Sequence, residues 1–389
     1  MAKRGLFYGI SATIIFLGIA SFFTDLSSEI IIPILPLFIA SLGGTGLIIG
    51  LIGGMSDAAI SIVKVFSGYW SDRLGKRKAL IISGYSFSAI AKAVMSIATS
   101  WWHLLILRPM ERIGKGIREP PRDALAAEIT PKKIHGKVFG TLRVMDTVGA
   151  LIGSILAFLF LYLWQLKFNT IFLIAGIISA FSVISLIFVK EKAKKKLRIS
   201  LMMGLKELPK DFRTYLIIAT IFAIADFSYM FFILRAKDFF ASYAVPVALY
   251  IIFNLVYAVF AFPLGILSDK IGRKKVLIYG YLLFVLSCLS FIFSDSLASF
   301  IFSFALYGLA YAFIVGNERA FAADLAPKKE MGTALGTFHT TIAAATLPAS
   351  IIAGLLWEYV NHTAPFIFGA AIALAATFLF ITRKNLDGK

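Results

Sequence analysis

One cysteine, four histidines and six side-chain amides are all that 389 residues contain of those types. Cys288, alone in an apolar run, has no intrachain partner, so an intrachain disulfide and cysteine-cluster metal sites are excluded. His103, His135, His339 and His362 are scattered and form no H-E-x-x-H pattern, so no metal site and no cofactor are expected. A G-x-x-x-x-G-K-[ST] phosphate loop is missing, which excludes ATP hydrolysis by that route, and no nucleophile–base pair points to an enzyme. The shortage of amides fits a thermophile that avoids thermolabile side chains. Charge is scarce as well: 15% of residues carry it, against about 25% in an ordinary soluble domain.

Apolar sequence fills the space. Hydrophobic residues make up 59% of the chain and the mean hydropathy is +0.86. At about 20 residues per helical span, twelve spans use roughly 240 residues and leave no room for a sizeable soluble domain. Apolar runs occupy 6–38, 47–70, 79–99, 138–164, 168–189, 215–234, 245–267, 276–293, 297–320, 333–357 and 364–381. The first imitates a signal peptide behind Lys3-Arg4, but apolar sequence resumes after Glu29 without a small-residue cleavage site, so it is read as one long helix.

Those runs number eleven, and the segment 101–127 is read as the missing fourth span despite Arg108, Glu111, Arg112, Lys115 and Arg118. Without it, the basic clusters at 73–78 and 190–196 would lie on opposite sides of the bilayer, against the positive-inside rule. With it, both termini and the basic loops are cytoplasmic. The net charge of +18 then reflects membrane topology, and no nucleic-acid partner is expected.

The second support is an internal repeat. Ala124-Leu-Ala-Ala-Glu-Ile-Thr-Pro-Lys-Lys matches Ala320-Phe-Ala-Ala-Asp-Leu-Ala-Pro-Lys-Lys, and Gly68-Tyr-Trp-Ser-Asp-Arg-Leu-Gly matches Gly265-Ile-Leu-Ser-Asp-Lys-Ile-Gly. Asp25-Leu-Ser and Asp226-Phe-Ser repeat more loosely. Between the copies, 190–213 is a basic linker whose 201–208 stretch suits a short amphipathic surface helix.

Gly-x-x-x-Asp-Arg-x-Gly between the second and third spans, with its second copy, resembles the signature loop of the major facilitator superfamily. The resemblance covers the whole chain. It implies an all-α membrane protein with twelve transmembrane helices in two six-helix bundles, residues 1–189 and 214–389, rocking around a midplane site. Gly68, Asp72, Arg73 and Gly75, with Gly265, Asp269 and Gly272, are the expected conformational latch. There Gly68 permits close helix approach, Gly75 a tight turn, and Asp72 accepts bonds from a neighbouring helix N-terminus. Arg108-x-x-Glu111-x-x-Gly114-x-Gly116 is similar to the superfamily's fourth-span motif, with Arg112 where a small residue is common. Positions 108, 111, 112, 115, 118, 119 and 122 form one helical stripe that must face the interior, because a charge facing hydrocarbon costs about 2.5 kcal/mol or more. Gly149-x-x-x-Gly153 resembles the antiporter motif, except that Ser154 stands where proline is common, or else it is plain small-residue packing.

Asp25 and Glu29 share one face of the first helix, an arrangement similar to that of several proton-coupled exporters. Loss of water and a neighbouring cation pull a carboxylate's proton affinity in opposite directions, and that tension makes a switch. Asp57 shares a face with Lys64, and Arg143 with Asp146; the alternative for each is a static ion pair. The candidates for coupling and substrate are thus Asp25, Glu29, Asp57, Arg108, Arg112 and Asp226, with Arg108 expected to approach the Asp25–Glu29 face. The second bundle is expected to supply an aromatic wall that includes Phe227, Tyr229, Phe253, Tyr257 and Tyr311.

The expected function is secondary active transport of a small organic solute by alternating access, as proton-coupled efflux by a monomer in the cell membrane. Its partners would be a small-molecule substrate, protons and the lipid bilayer. The alternatives are an organic-anion facilitator or symporter, favoured by Arg108, Arg112 and Lys92, and a non-transporting membrane sensor, disfavoured by the lack of an output domain.

Overall fold

The computed structural model describes residues 11–131, 134–191, 208–327, 331–383 and 386. Lys132, Lys133, Lys328, Lys329, the 201–207 part of the linker and both chain ends lie outside the described residues. Among those described, every regular element is helical. The first set comprises α1 (Ala12–Ile31), α2 (Leu35–Ser41), α3 (Gly46–Leu74), α4 (Arg77–Met95), α5 (Trp101–Glu128), α6 (His135–Tyr162) and α7 (Phe168–Ile187). The second comprises α8 (Lys210–Ala225), α9 (Met230–Lys237), α10 (Ala244–Ile271), α11 (Arg273–Phe293), α12 (Leu297–Leu325), α13 (Met331–Tyr359) and α14 (Ala364–Thr382).

Ten stretches are long and apolar enough to cross a bilayer; α4 and α5 fall outside that set. The α5 segment is nevertheless a helix 28 residues long. With α1–α2 and α8–α9 each counted as one broken span, the chain makes twelve passes.

Two expected continuous spans are broken. The first was read as one helix over 6–38, but α1 ends at Ile31 and α2 starts at Leu35. Pro33 explains this, since its ring clashes with the carbonyl four residues back and it has no N–H to donate. The seventh breaks at Asp226, whose ψ of 69° ends α8, and α9 begins only at Met230. No proline lies there. The exposed backbone is met from α13, where Ser350 Oγ accepts the Ser228 N–H at 3.2 Å. Conversely, α5 stays helical through Pro109, Pro120 and Pro121. Pro121 leaves the Ile117 carbonyl without its helical donor, and Ser67 Oγ from α3 supplies one at 2.5 Å.

Packing repeats as the sequence does. In the first set α1 lies against α6 and α7, α3 against α5, and α4 against α5 and α7. The second set reproduces each of these: α8 against α13 and α14, α10 against α12, and α11 against α12 and α14. The two sets meet along α3–α13 and along α6–α10, which are again equivalents of each other. Gly149 and Gly153 bring α6 onto α1: a Cβ at either would strike the Phe22 or Leu26 carbonyl. That is the packing role considered for this glycine pair.

The meeting is asymmetric along the helix axes. At the Gly46 end of α3, Gly46, Gly50 and Gly54 press on Trp357, Ser350 and Leu347 of α13, and Leu47 N–H bonds Glu358 Oε2 at 3.0 Å. Toward the end bearing the Asp72 and Asp269 loops, a Cβ built at Gly140, Gly265, Gly316 or Gly336 would meet nothing within 4 Å. The sets therefore enclose a cleft open at the basic-loop end and closed at the other.

Candidate functional site

The expected stripe on α5 faces inward. Arg108, Glu111 and Arg118 are buried, and Arg112, Lys115, Glu119 and Arg122 are partly so. Arg108 Nη1 donates to Glu111 Oε2 at 2.7 Å, a pair one helical turn apart with both members at most 1% exposed. Lys92 Nζ, fully buried on α4, lies 3.9 Å from Glu111 Oε1 and donates to Ser27 Oγ at 2.6 Å and Ser28 Oγ at 2.8 Å. Two buried cations thus share one buried carboxylate, with α1 hydroxyls solvating the lysine.

The stripe continues toward the open end. Arg112 Nη2 is 3.5 Å from Asp57, and Lys115 Nζ is 3.8 Å from Asp25 and 3.5 Å from Glu119. Lys64 reaches Glu119 at 2.5 Å. Arg118 Nη1 donates to Ser88 Oγ at 2.8 Å and its guanidinium lies over the Tyr85 ring. Arg122 Nη1 donates to Ser21 Oγ at 2.6 Å and lies 3.4 Å from Asp146.

This network corrects three expected pairings. Arg108 does not approach Glu29, because Glu111 on its own helix engages it. Asp57 and Lys64 keep a common face but pair with Arg112 and Glu119 of α5 rather than with each other. Asp146 meets Arg122, and Arg143 points instead to the Tyr257 hydroxyl at 3.4 Å. In the last two cases the charged stripe of α5 outcompetes a same-helix neighbour, and in the first a same-helix neighbour outcompetes α1.

Glu29 forms no ion pair within 4 Å among the described residues. Its Oε2 accepts from Ser154 Oγ of α6 at 3.3 Å and from Asn254 Nδ2 of α10 at 3.2 Å. The same amide bonds Ser154 at 3.2 Å, so a triangle of polar groups joins the first set to the second. Tyr229, just before α9, adds a nearby tie by donating to the Ile32 carbonyl at 3.2 Å. Asp226 lies at the break of the seventh span, where Tyr311 donates to Oδ2 at 3.4 Å while buried Oδ1 has no partner among the described residues.

The aromatic wall divides. Phe227 and Phe253 are core residues at 1% and 6% exposure, stacked on Phe232 and Tyr307, whereas Tyr229, Tyr257 and Tyr311 are half-buried or hydrogen-bonded to polar partners.

At the loop after α3, Gly75 caps the helix in the left-handed region, φ 65° and ψ 14°, which a glycine adopts without strain. Asp72 accepts from Arg77 Nη2 at 2.8 Å, and the same nitrogen reaches Glu128 of α5 at 2.6 Å. The α4 N-terminus is capped differently from expectation. Its Arg77 and Lys78 N–H groups donate to the Glu191 carboxylate, at 2.5 and 3.0 Å, and not to Asp72. Arg73 points outward near the Tyr69 hydroxyl, and a Cβ on Gly68 would make only ordinary contact with Pro120. In the second copy, Arg273 joins Asp269 at 3.1 Å to Asp324 at 2.5 Å, and Gly272 has φ 95°. The bridging cation is thus one position earlier than Arg77 in the aligned repeat.

Reading the sequence noted Ser154 only as a departure from a motif and missed Asn254 and Glu191 as site residues. An amide at mid-span in a chain with six amides was the available signal for Asn254; Glu191 left none, since only folding brings it to α4.

A twelve-pass helical bundle with a polar cleft between two equivalent sets has the architecture of a membrane transporter. The Major Facilitator Superfamily model matches residues 17–248 and again 215–388, so both halves are recognised by it. An MFS-type transporter of Methanocaldococcus jannaschii, MJ1317, itself uncharacterized, is 43% identical over 379 residues, covering 96% of this chain and 95% of that protein. The multidrug resistance protein MdtH of Photorhabdus laumondii is 24% identical over 196 residues, 49% of this chain and 47% of that one. Among solved structures, the nucleoside transporter NupG superposes with a TM-score of 0.78 at 15% identity, over 95% of this chain and 98% of that chain. A POT family transporter in complex with 5-aminolevulinic acid gives 0.80 at 16% identity, over 100% and 99%. The chain belongs to the major facilitator superfamily and is a multi-pass membrane transporter.

Proposed function

We propose that the chain is a monomeric, proton-coupled secondary transporter that exports a small organic solute by alternating access. Residues 1–189 and 214–389 act as the two moving bundles, 190–213 is the cytoplasmic linker between them, and both termini are cytoplasmic. The observation that carries this reading is the Glu29–Ser154–Asn254 triangle, a carboxylate of one set bonded by an amide of the other where the cleft closes. Ionised Glu29 accepts charge-assisted bonds and holds α1 and α6 to α10. A proton on it weakens those bonds and biases the pair of bundles toward separation at that end, as any differential ligand does. Asp25, one turn away toward the open end and held by Lys115, passes the proton on. Asp57, Arg112 and Asp226 flank the cleft and contact the solute. The loops around Asp72 and Asp269 brace each set internally during the movement.

The test is ethidium flux in proteoliposomes under an imposed pH gradient. Glu29→Gln abolishes the gradient-driven component and leaves gradient-free exchange. If Glu29→Gln and Asp25→Asn both respond to the gradient like the parent, neither carboxylate couples transport to protons. A facilitator of organic anions is the second reading, favoured by the buried Arg112 Nε, which has no partner among the described residues.

A further inference from the structure

On the flank of the cleft, away from Glu29, α6, α10, α11 and α12 line a half-open cavity of 440 Å³. Its ionisable lining is Arg143 of α6, Asp269 of α10, Arg273 of α11 and Arg319 of α12. Arg273 is neutralised twice, by Asp269 at 3.1 Å and by Asp324 at 2.5 Å. Arg143 and Arg319 form no ion pair with any described residue; the one side-chain bond of Arg143 is to the Tyr257 hydroxyl at 3.4 Å. Two guanidinium groups, one from each set of helices, therefore line one void whose single lining carboxylate, Asp269, is engaged by Arg273. The void is built of small residues: Gly265 and Gly316 line it, and a Cβ on either would meet nothing within 4 Å.

Such a site is complementary to an anion. Both Arg143 and Arg319 are exposed to the cavity, and a guanidinium presents paired donors that match a phosphate or carboxylate, so an anion between two of them relieves their repulsion. Its depth is also defined. Asp269 lies less than one turn from the α10 terminus and Gly265 less than two, at the level of the basic loops, where lipid head groups lie. Beside it, exposed Val144 and Val148 on α6 and Val259 and Phe260 on α10 present apolar surface.

We propose that this cavity binds the anionic head, phosphate or carboxylate, of an amphiphile whose tail lies along the exposed apolar faces of α6 and α10. The site is separate from the coupling triangle, and its occupant enters from the bilayer.

Binding is measured on the purified full chain in neutral detergent with three probes: 1-oleoyl-glycerol-3-phosphate, mono-oleoylglycerol and inorganic phosphate. The first binds, the second, with the same tail and no charge, binds at least tenfold more weakly, and the third competes only at much higher concentration. Arg143→Gln and Arg319→Gln each weaken the first probe by roughly tenfold or more, the effect of losing a charged hydrogen bond. Gly265→Leu does the same by filling the void without changing charge, whereas Lys167→Gln, at the opposite end of the bundle, binds like the parent. Arg143→Lys recovers part of the affinity, which separates loss of charge from loss of fold. Equal binding of mono-oleoylglycerol, or parent-like affinity in both glutamine variants, overturns the anion site. Inorganic phosphate binding as tightly as the oleoyl compound overturns the amphiphile and leaves a soluble anion. None of these readings depends on a gradient or on turnover, so a failure of Glu29 as the coupling group leaves them intact.

Discussion

A buried and a half-buried carboxylate in the first set, Glu111 and Glu29, have opposite surroundings, and removing the charge from each has opposite consequences. Glu111 lies between Arg108, at 2.7 Å, and Lys92, at 3.9 Å, all three at most 1% exposed. Glu111→Gln leaves two buried cations without their counter-charge. Breaking a buried pair in this way costs about 3–5 kcal/mol, because the remaining charge is still desolvated. For a chain longer than 250 residues the melting temperature moves by about 2 °C per kcal/mol, the low end of the range for shorter domains. The expected fall is therefore about 6–10 °C. Glu29, by contrast, is bonded by neutral donors at 3.2 and 3.3 Å, and a glutamine oxygen accepts from both. Exchanging a charged for a neutral acceptor there costs about 1 kcal/mol, or about 2 °C. The assay is a thermal unfolding series on detergent-purified variants, followed by tryptophan fluorescence, with Glu29→Gln, Glu111→Gln and the parent side by side. Equal shifts for the two variants, or an unmoved Glu111→Gln, would refute the distinction between a structural and a switchable carboxylate.

Further tests address other parts of the fold. Asp72→Asn weakens the hold on Arg77 and slows exchange between conformations while leaving ligand affinity within about twofold; weakened binding at unchanged turnover contradicts the bracing role. Gly153→Leu drives a side chain into the Leu26 carbonyl and Glu29 Cβ, so it lowers stability by more than about 3 kcal/mol and reduces folded yield on size-exclusion chromatography; parent-like yield would show that α6 and α1 can separate. A reporter fused after Lys389 that is active only in the cytoplasm supports the orientation drawn from loop charge, and activity only outside reverses it.

Composition and repetition in the sequence determined the class of protein and the number of passes. Fifteen per cent charge admits no soluble core, and the duplicated Gly-x-x-x-Asp and Ala-x-Ala-Ala motifs showed the halves to be duplicates, which the equivalent packing of α3 with α5 and α10 with α12 repeats. The inward stripe on α5 was legible too, because helical period and the cost of charge in hydrocarbon leave one solution. Tertiary structure alone decided which charge meets which. Same-face spacing proposed Asp57 with Lys64 and Arg143 with Asp146, but facing helices bring Arg112, Glu119 and Arg122 within reach, and a partner on a facing helix has no signature in local spacing. Glu29 shows the same limit most sharply. Its neighbour Asn254 lies 225 residues away, and only the closing of α6 on α10 places that amide against the carboxylate.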